Sequence, residues 1–238
     1  MKILINKRSI SAIILIAGNS TRYNKNINKN FEIINRKPVL SYSLHAFDKN
    51  MYIDNIIIAV KKTEINHVKE IVNNESLNKD IKIVIGGNSR KESVYNCIKA
   101  TNSDIVIIHD GARPLIKQDY INHCIKSMKH FKGVTVGVKA KDTIKISDSD
   151  GIVINTTNRA NTWLVQTPQC FDRQVLLKMH EKYRDEDSTD DCSLLEKDNY
   201  TIKMIQGDYT NIKITTREDL DIIKGGLGDL SFFHFSDI

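Results

Sequence analysis

Residues 106–114, VIIHDGARP, confine the fold of this chain more than any other stretch. Val106, Ile107 and Ile108 form an unbroken apolar run that ends abruptly in His109, Asp110 and Arg113. Only a strand covered on both faces stays apolar at consecutive positions, so the run reads as a central parallel strand. Ligands of open α/β sheets sit just beyond the carboxyl ends of such strands. A carboxylate able to hold a divalent cation and a guanidinium able to fork onto a phosphate therefore share the usual ligand position. The other reading is a buried Asp110–Arg113 pair that pins the turn before Pro114, and the run alone does not choose between them.

Strand-like runs recur at 11–17, 55–60, 81–85, 105–109 and 133–138, with helical segments between them. Pro38 can open the first helix from position N1. Ser89 and Glu92 form a capping box that opens a helix through about Ala100. Residues 117–131 carry Ile121, Cys124, Ile125 and Met128 at helical spacing. Thr216 and Asp219 cap a final helix containing Leu220, Ile223 and Leu227. This alternation predicts an α/β fold, a Rossmann-like, doubly wound and mostly parallel sheet. With no internal repeat or linker, 1–238 reads as a single domain. The tail, 225–238, loses periodicity and is expected to pack loosely.

One segment breaks the rhythm. Residues 142–146 and 152–156 flank Asp148-Ser149-Asp150-Gly151 and read as a protruding β-hairpin arm, an insertion at about 139–160. Two strands alone cannot form a stable core, so the arm must pack on something. A second copy of the chain is the economical partner, giving a homodimer, and an arm folded back on its own domain is the alternative.

Composition removes several function classes. The formal charge of +6 is spread along the chain, with no dense basic block and no aromatic platform, which argues against nucleic acid. No apolar stretch approaches the length of a membrane span. The start, MKILINKRSISAIILIAG, imitates a signal peptide, but its apolar run is short and enters a polar loop, so it reads as a first strand. Cys97, Cys124, Cys170 and Cys192 are scattered without a C-x-x-C and read as reduced thiols of a cytoplasmic protein.

Two further loops carry chemistry. After the first strand come Ile16, Ala17, Gly18, Asn19, Ser20, Thr21 and Arg22, where a glycine lets successive N–H groups line an anion. Arg22 and Lys29 nearby would suit a triphosphate, although an ordinary loop has the same look. The absence of G-x-G-x-x-G and of G-K-[ST] argues against a dinucleotide dehydrogenase and a P-loop enzyme. After the third strand, Gly86 and Gly87 would let a flat base lie against the backbone, with Asn88 and Ser93 offering hydrogen bonds and Arg90 following the cap. A flexible loop ending in a good cap is the plain alternative.

Taken together, GG-x-x-R-x-x-SV (86–94), HD-x-ARP (109–114), DTIK (142–145), Arg159 before QTPQ-x-F (166–171), TDD-x-SLLE (189–196) and NIKIT (211–215) occur in order. Over roughly 10–227 the chain resembles the 2-C-methyl-D-erythritol 4-phosphate cytidylyltransferases of the non-mevalonate isoprenoid pathway. The resemblance implies a nucleotidyltransferase, dimeric through the arm, that makes a CDP-alcohol and pyrophosphate from CTP and a polyol phosphate. It implies that Ala17 and Gly18 line the CTP site, and that Arg22 and Lys29 bind the CTP phosphates and stabilise the transition state. Gly87, Asn88 and Ser93 would read cytosine, Arg90 would help bind substrate, and Asp110 would help hold Mg²⁺. Arg113, Thr143, Arg159 and Lys213 would place the second substrate, with Thr143 and Arg159 coming from the partner's arm.

The chain departs from the pattern at several places. Ser20 stands for the second glycine of the first loop, and Ile16 for an alanine, where it would crowd the nucleotide. Asn28 replaces a rigid proline before Lys29, Arg36 replaces a turn glycine, and Thr210 stands where some members carry an acid. The competing readings are a sister enzyme acting on another polyol phosphate such as ribitol 5-phosphate, and a CTP-binding protein that has lost turnover. A nucleic-acid binder comes last. Ala112, the DTIK arm and TDD-x-SLLE favour the isoprenoid branch.

Overall fold

The computed structural model describes residues 8–18, 23 and 28–228. Its elements run β1 (Ile10–Leu15), β2 (Ile33–Ile34), β3 (Lys37–Pro38), α1 (Val39–Asp48), β4 (Asn55–Val60), α2 (Ile65–Asn74), β5 (Asp80–Ile85), α3 (Arg90–Lys99), β6 (Ile105–Asp110) and α4 (Gln118–Ser127). They continue with β7 (Gly133–Lys139), β8 (Lys145–Ser147), β9 (Val153–Thr156), β10 (Trp163–Asp172), α5 (Arg173–Lys182), α6 (Cys192–Glu196), β11 (Ile202–Gln206) and α7 (Arg217–Gly228). Seven strands form one sheet in the order β11-β7-β10-β6-β1-β4-β5. β10 runs antiparallel to both neighbours, and the remaining pairings are parallel.

The apolar run expected at the centre is β6, buried at every position and paired with β1 on one side and β10 on the other. Successive residues of β1 face opposite layers. Ala12 and Ile14 pack with Leu44 and Phe47 of α1 and Ile121 and Ile125 of α4. Ile13 packs with Val94 and Ile98 of α3 and Leu176 and Met179 of α5. Both faces are thus covered, as the unbroken apolar strands require. β1 lies between β4 and β6, and the chain's crossovers diverge there, which opens a crevice at the carboxyl ends of β1 and β6.

The helix caps follow the sequence closely. Ser89 Oγ accepts the Glu92 N–H, and Glu92 reaches back to the Asn88 N–H rather than to that of Ser89. Thr216 and Asp219 cap α7 reciprocally. Pro38 sits one residue before α1 rather than inside it. α7 runs through Gly228, so 225–228 are helical and not part of a loose tail, while 229–238 lie outside the described residues.

The arm is a separate two-stranded sheet of β8 and β9, shorter than expected and exposed along both strands. Gly151, at φ 82°, makes its turn, and Asp148 Oδ1 accepts the N–H groups of Asp150 and Ile152. Two strands of the seven-stranded sheet were not expected from the sequence: β10, which carries Pro168 after a cis bond from Thr167, and the edge strand β11. A second small hairpin joins β2 to β3 through Asn35 and Arg36, at φ 47° and 66°.

Candidate active site at the carboxyl ends of β1 and β6

The crevice is built by four loops held close together. Ile16 N–H bonds to Ala59 O, Gly86 N–H to Val60 O, and Gly111 N–H to Leu15 O, so the strand ends stay in register beyond the strands themselves. A Cβ on Gly86 would lie 2.4 Å from the Ala17 Cβ, and one on Gly111 would lie 2.5 Å from Ile16 Cγ2. Only glycine lets these loops meet. Ile16, expected to crowd a nucleotide, does line the cleft, though it is only 2% exposed and most of its side chain joins the core.

Most of the expected residues do line one cleft: Ala17 and Gly18 from the loop after β1, Lys29 from a single 3-10 turn (Lys29–Phe31), Gly87 and Asn88 from the loop after β5, and Arg90 and Ser93 from the start of α3. Asp110 from β6 and Lys213 from the loop before α7 complete it. Lys213 arrives because Ile214 N–H bonds to Ala112 O, which lays the 211–215 segment against the end of β6. Ser93 has a local task as well: its Oγ accepts the Gly87 N–H and donates to Ser89 O, shaping the glycine turn. Arg22 lies outside the described residues, as do Asn19, Ser20 and Thr21.

Asp110 is the electrostatic centre. Lys213 Nζ is 2.7 Å from its Oδ2, Arg113 Nε 3.7 Å from Oδ2, and Arg90 Nε 3.9 Å from Oδ1. Burial opposes the charged form, yet the Lys213, Arg90 and Arg113 cations hold the carboxyl well below its usual range. Behind it runs a neutral chain. Asp110 N–H donates to Thr167 Oγ1, which bonds His109 Nδ1, and His109 Nε2 meets Arg113 O. The carbonyl can only accept, so Nε2 carries the proton and Nδ1 accepts from Thr167. Burial pushes His109 down to about 4.

Arg113 does not line the cleft. It is buried, and its Nη1 donates to Asn211 O, 2.7 Å away. The turn-pinning reading of the Asp110–Arg113 pair is therefore the one its contacts fit. Arg90 reaches the other way: its Nη1 is 2.7 Å from Asp191 Oδ2, and Asp191 Oδ1 is 3.1 Å from His180 Nε2. Burial opposes the Arg90 charge, but Asp191 and Asp110 raise its pKa above the ordinary value. Asp191 lies in the TDD motif, yet nothing in the sequence said which acid would hold Arg90. Thr167, likewise, was visible only as part of QTPQ.

Thr143 and Arg159 stay on the exposed arm and do not reach this cleft. Arg159 Nη1 donates to Lys141 O. Thr210, standing in place of an acid, bonds Asp208 Oδ1 through both its N–H and its hydroxyl. Asn28, in place of a proline, is tied at both ends of its amide: Nδ2 donates to Ile16 O and Glu64 Oε2, and Oδ1 accepts the Asn30 N–H.

Among the described residues no three His, Cys, Asp or Glu side chains cluster into a metal cage. Asp110 is the only acid among the described lining residues, and Arg90 Nε approaches its Oδ1 at 3.9 Å. A small divalent cation held by one carboxylate and by substrate phosphates fits that donor set.

A family model for 2-C-methyl-D-erythritol 4-phosphate cytidylyltransferase matches residues 10–227. A protein of that name from Caldanaerobacter subterraneus subsp. tengcongensis is 44% identical over 217 residues, covering 89% of this chain and 96% of its own. One from Clostridioides difficile is 42% identical over 216 residues, covering 89% and 91%. The crystal structure of 4-diphosphocytidyl-2C-methyl-D-erythritol synthase from Anaerococcus prevotii superposes with a TM-score of 0.82 at 32% identity, covering 93% of this chain and 99% of that one.

Proposed function

This chain belongs to the 2-C-methyl-D-erythritol 4-phosphate cytidylyltransferase family, and on that premise we propose how its cleft joins CTP to 2-C-methyl-D-erythritol 4-phosphate. The products are 4-diphosphocytidyl-2-C-methyl-D-erythritol and pyrophosphate. A phosphate oxygen attacks the α-phosphorus of CTP, so two anions must meet in line. Such an oxygen is already a nucleophile at neutral pH, and neither a covalent intermediate nor a strong base is needed. The task is neutralisation and positioning. The observation that carries this reading is one cleft lined by Lys29, Arg90, Lys213 and Asp110, with Arg90 and Lys213 both against the Asp110 carboxylate.

Lys29 and Arg22 are assigned to the triphosphate, with Ala17 and Gly18 offering backbone beside it. Gly87, Asn88 and Ser93 are assigned to the cytosine, and Lys213 to the incoming phosphate. Arg90 and Arg113 act through Asp110, holding it charged and in place. Mg²⁺ is the cation proposed for Asp110, and when bound it would neutralise charge on the phosphates. The chain is read as one cytoplasmic nucleotidyltransferase domain with the arm inserted at about 139–160. Ile146, Ile152, Val153 and Ile154 on the arm are 47–67% exposed, which suits burial against a second copy. Thr143 and Arg159 would then complete the partner's site.

The test is pyrophosphate release from CTP and Mg²⁺ with methylerythritol 4-phosphate and ribitol 5-phosphate in parallel. Release with the first is expected. Preference for ribitol 5-phosphate would keep the mechanism and change the substrate. Silence with both, from protein that binds CTP, would mean lost turnover.

A further inference from the structure

Lys29 enters the cleft from one 3-10 turn, an element too short to hold its own geometry. Asn28, which precedes it, does not line the cleft and is 6% exposed. Every hydrogen-bonding atom of its amide is used. Oδ1 accepts from Asn30 N at 3.1 Å and from Asn30 Nδ2 at 2.7 Å. Nδ2 donates to Ile16 O at 2.9 Å and to Glu64 Oε2 at 2.9 Å. One side chain thus ties the end of β1, the turn, and the residue that precedes α2. On the far side of the turn, Phe31 packs edge-on against His67 of α2, with ring centroids 4.6 Å apart.

The backbone at Asn28 has φ −77° and ψ 114°. That φ falls in the range a proline ring would impose covalently. Here the same constraint comes from four hydrogen bonds. We propose that Asn28, braced by Glu64, is the positioning residue of Lys29: its amide fixes the backbone entering the turn and so fixes where the lysine is presented. The assignment rests on reading Lys29 as the cation on the CTP phosphates.

A side chain needed only as a turn cap could be exchanged for aspartate, which keeps the Oδ1 acceptor. A positioning role needs the Nδ2 donor too, because a second oxygen would face the Ile16 carbonyl and the Glu64 carboxylate. Steady-state pyrophosphate release at saturating substrates, with thermal melting alongside, separates the two. Lys29→Ala sets the scale, with kcat expected to fall by about 100-fold or more. Asn28→Asp and Asn28→Ala should each lower kcat by roughly 10- to 100-fold, more than they raise the KM for CTP, since a misplaced group is missed chiefly in the transition state. Asn28→Pro, which restores φ without the amide, should turn over at least about tenfold faster than Asn28→Ala.

Wild-type kcat in Asn28→Asp, or an Asn28→Pro no better than Asn28→Ala, overturns the assignment even though Lys29→Ala is impaired. A normal kcat in Lys29→Ala overturns the reading of Lys29 and this inference with it. Should Asn28→Ala fail to fold, the comparison of Asn28→Asp and Asn28→Pro with the wild type decides in its place.

Discussion

Lys213 Nζ stands 2.7 Å from Asp110 Oδ2, so the acid of the cleft meets its ligands already paired with a cation from the 211–215 segment. The lysine is about one-third exposed and the carboxylate nearly buried, which leaves the lysine the movable partner.

Lys213→Ala should therefore lower kcat/KM by about 100-fold, the order seen when one preorganised charge-stabilising donor is lost. Its melting temperature should stay within a few degrees, because Arg90 and Arg113 still compensate Asp110. Steady-state kinetics and a melting curve on the same preparation check both halves. A large fall in melting temperature with normal kinetics would reduce Lys213 to a support for Asp110.

Arg159 lies on the exposed arm, away from the cleft of its own chain. Arg159→Ala should chiefly raise the KM for the polyol phosphate. Mixed one to one with Lys29→Ala under subunit exchange, it should recover about a quarter of wild-type activity, because half the dimers are mixed and each of those has one intact site. No recovery in verified mixed dimers would place Arg159 in its own subunit's site.

His109 is neutral in the fold and held near pKa 4, against 6.5 when free. Between those values the unfolded chain binds a proton that the folded chain refuses, so stability falls as pH drops from about 6.5 to about 4. The full effect is about 3 kcal/mol. Urea unfolding of metal-free protein across that window should show this loss, and His109→Gln should flatten it. The Asp110 contribution lies lower, lost only as pH falls below its ordinary carboxyl range. Equal slopes in both proteins would show that another group carries the acid sensitivity.

Arg36 holds φ 66° in the β2–β3 turn, a conformation that suits glycine. Arg36→Gly should stabilise the protein by about 0.5–1 kcal/mol, after allowing for the extra freedom glycine has when unfolded. Chemical denaturation measures it, and a loss of stability would mean the Arg36 side chain contributes more than its backbone gives up.

Much of this architecture was legible because each signal was local. β6 announced itself by an apolar run ending in polar residues, and α3 by Ser89 and Glu92. The arm followed from a turn sequence. β10 escaped because Pro168 and three polar residues, Gln166, Thr167 and Gln169, disguise a central strand, and a proline in a run argues against one. The cleft was legible as a set of ordered motifs, but the partners within it were not. That Arg90 would find Asp191, 101 positions away, or that Arg113 would turn to the Asn211 carbonyl, depends on long-range packing no spacing encodes. Asn28 looked like a weakened proline for the same reason, since its four bonds reach to Ile16, Asn30 and Glu64.

The arm leaves the sheet after Lys139 and returns at Trp163, and those two residues are register partners in the β7–β10 ladder. The Lys139 ammonium also lies over the Trp163 ring, 4.4 Å from its centre. The excursion therefore begins and ends at a closed clasp. Lengthening it would add only the slowly growing entropy of a larger loop, about 0.6 kcal/mol for each doubling. Evolution can thus retailor the reach of the arm while β7, β10 and the Thr167 hydroxyl beneath Asp110 stay where they are.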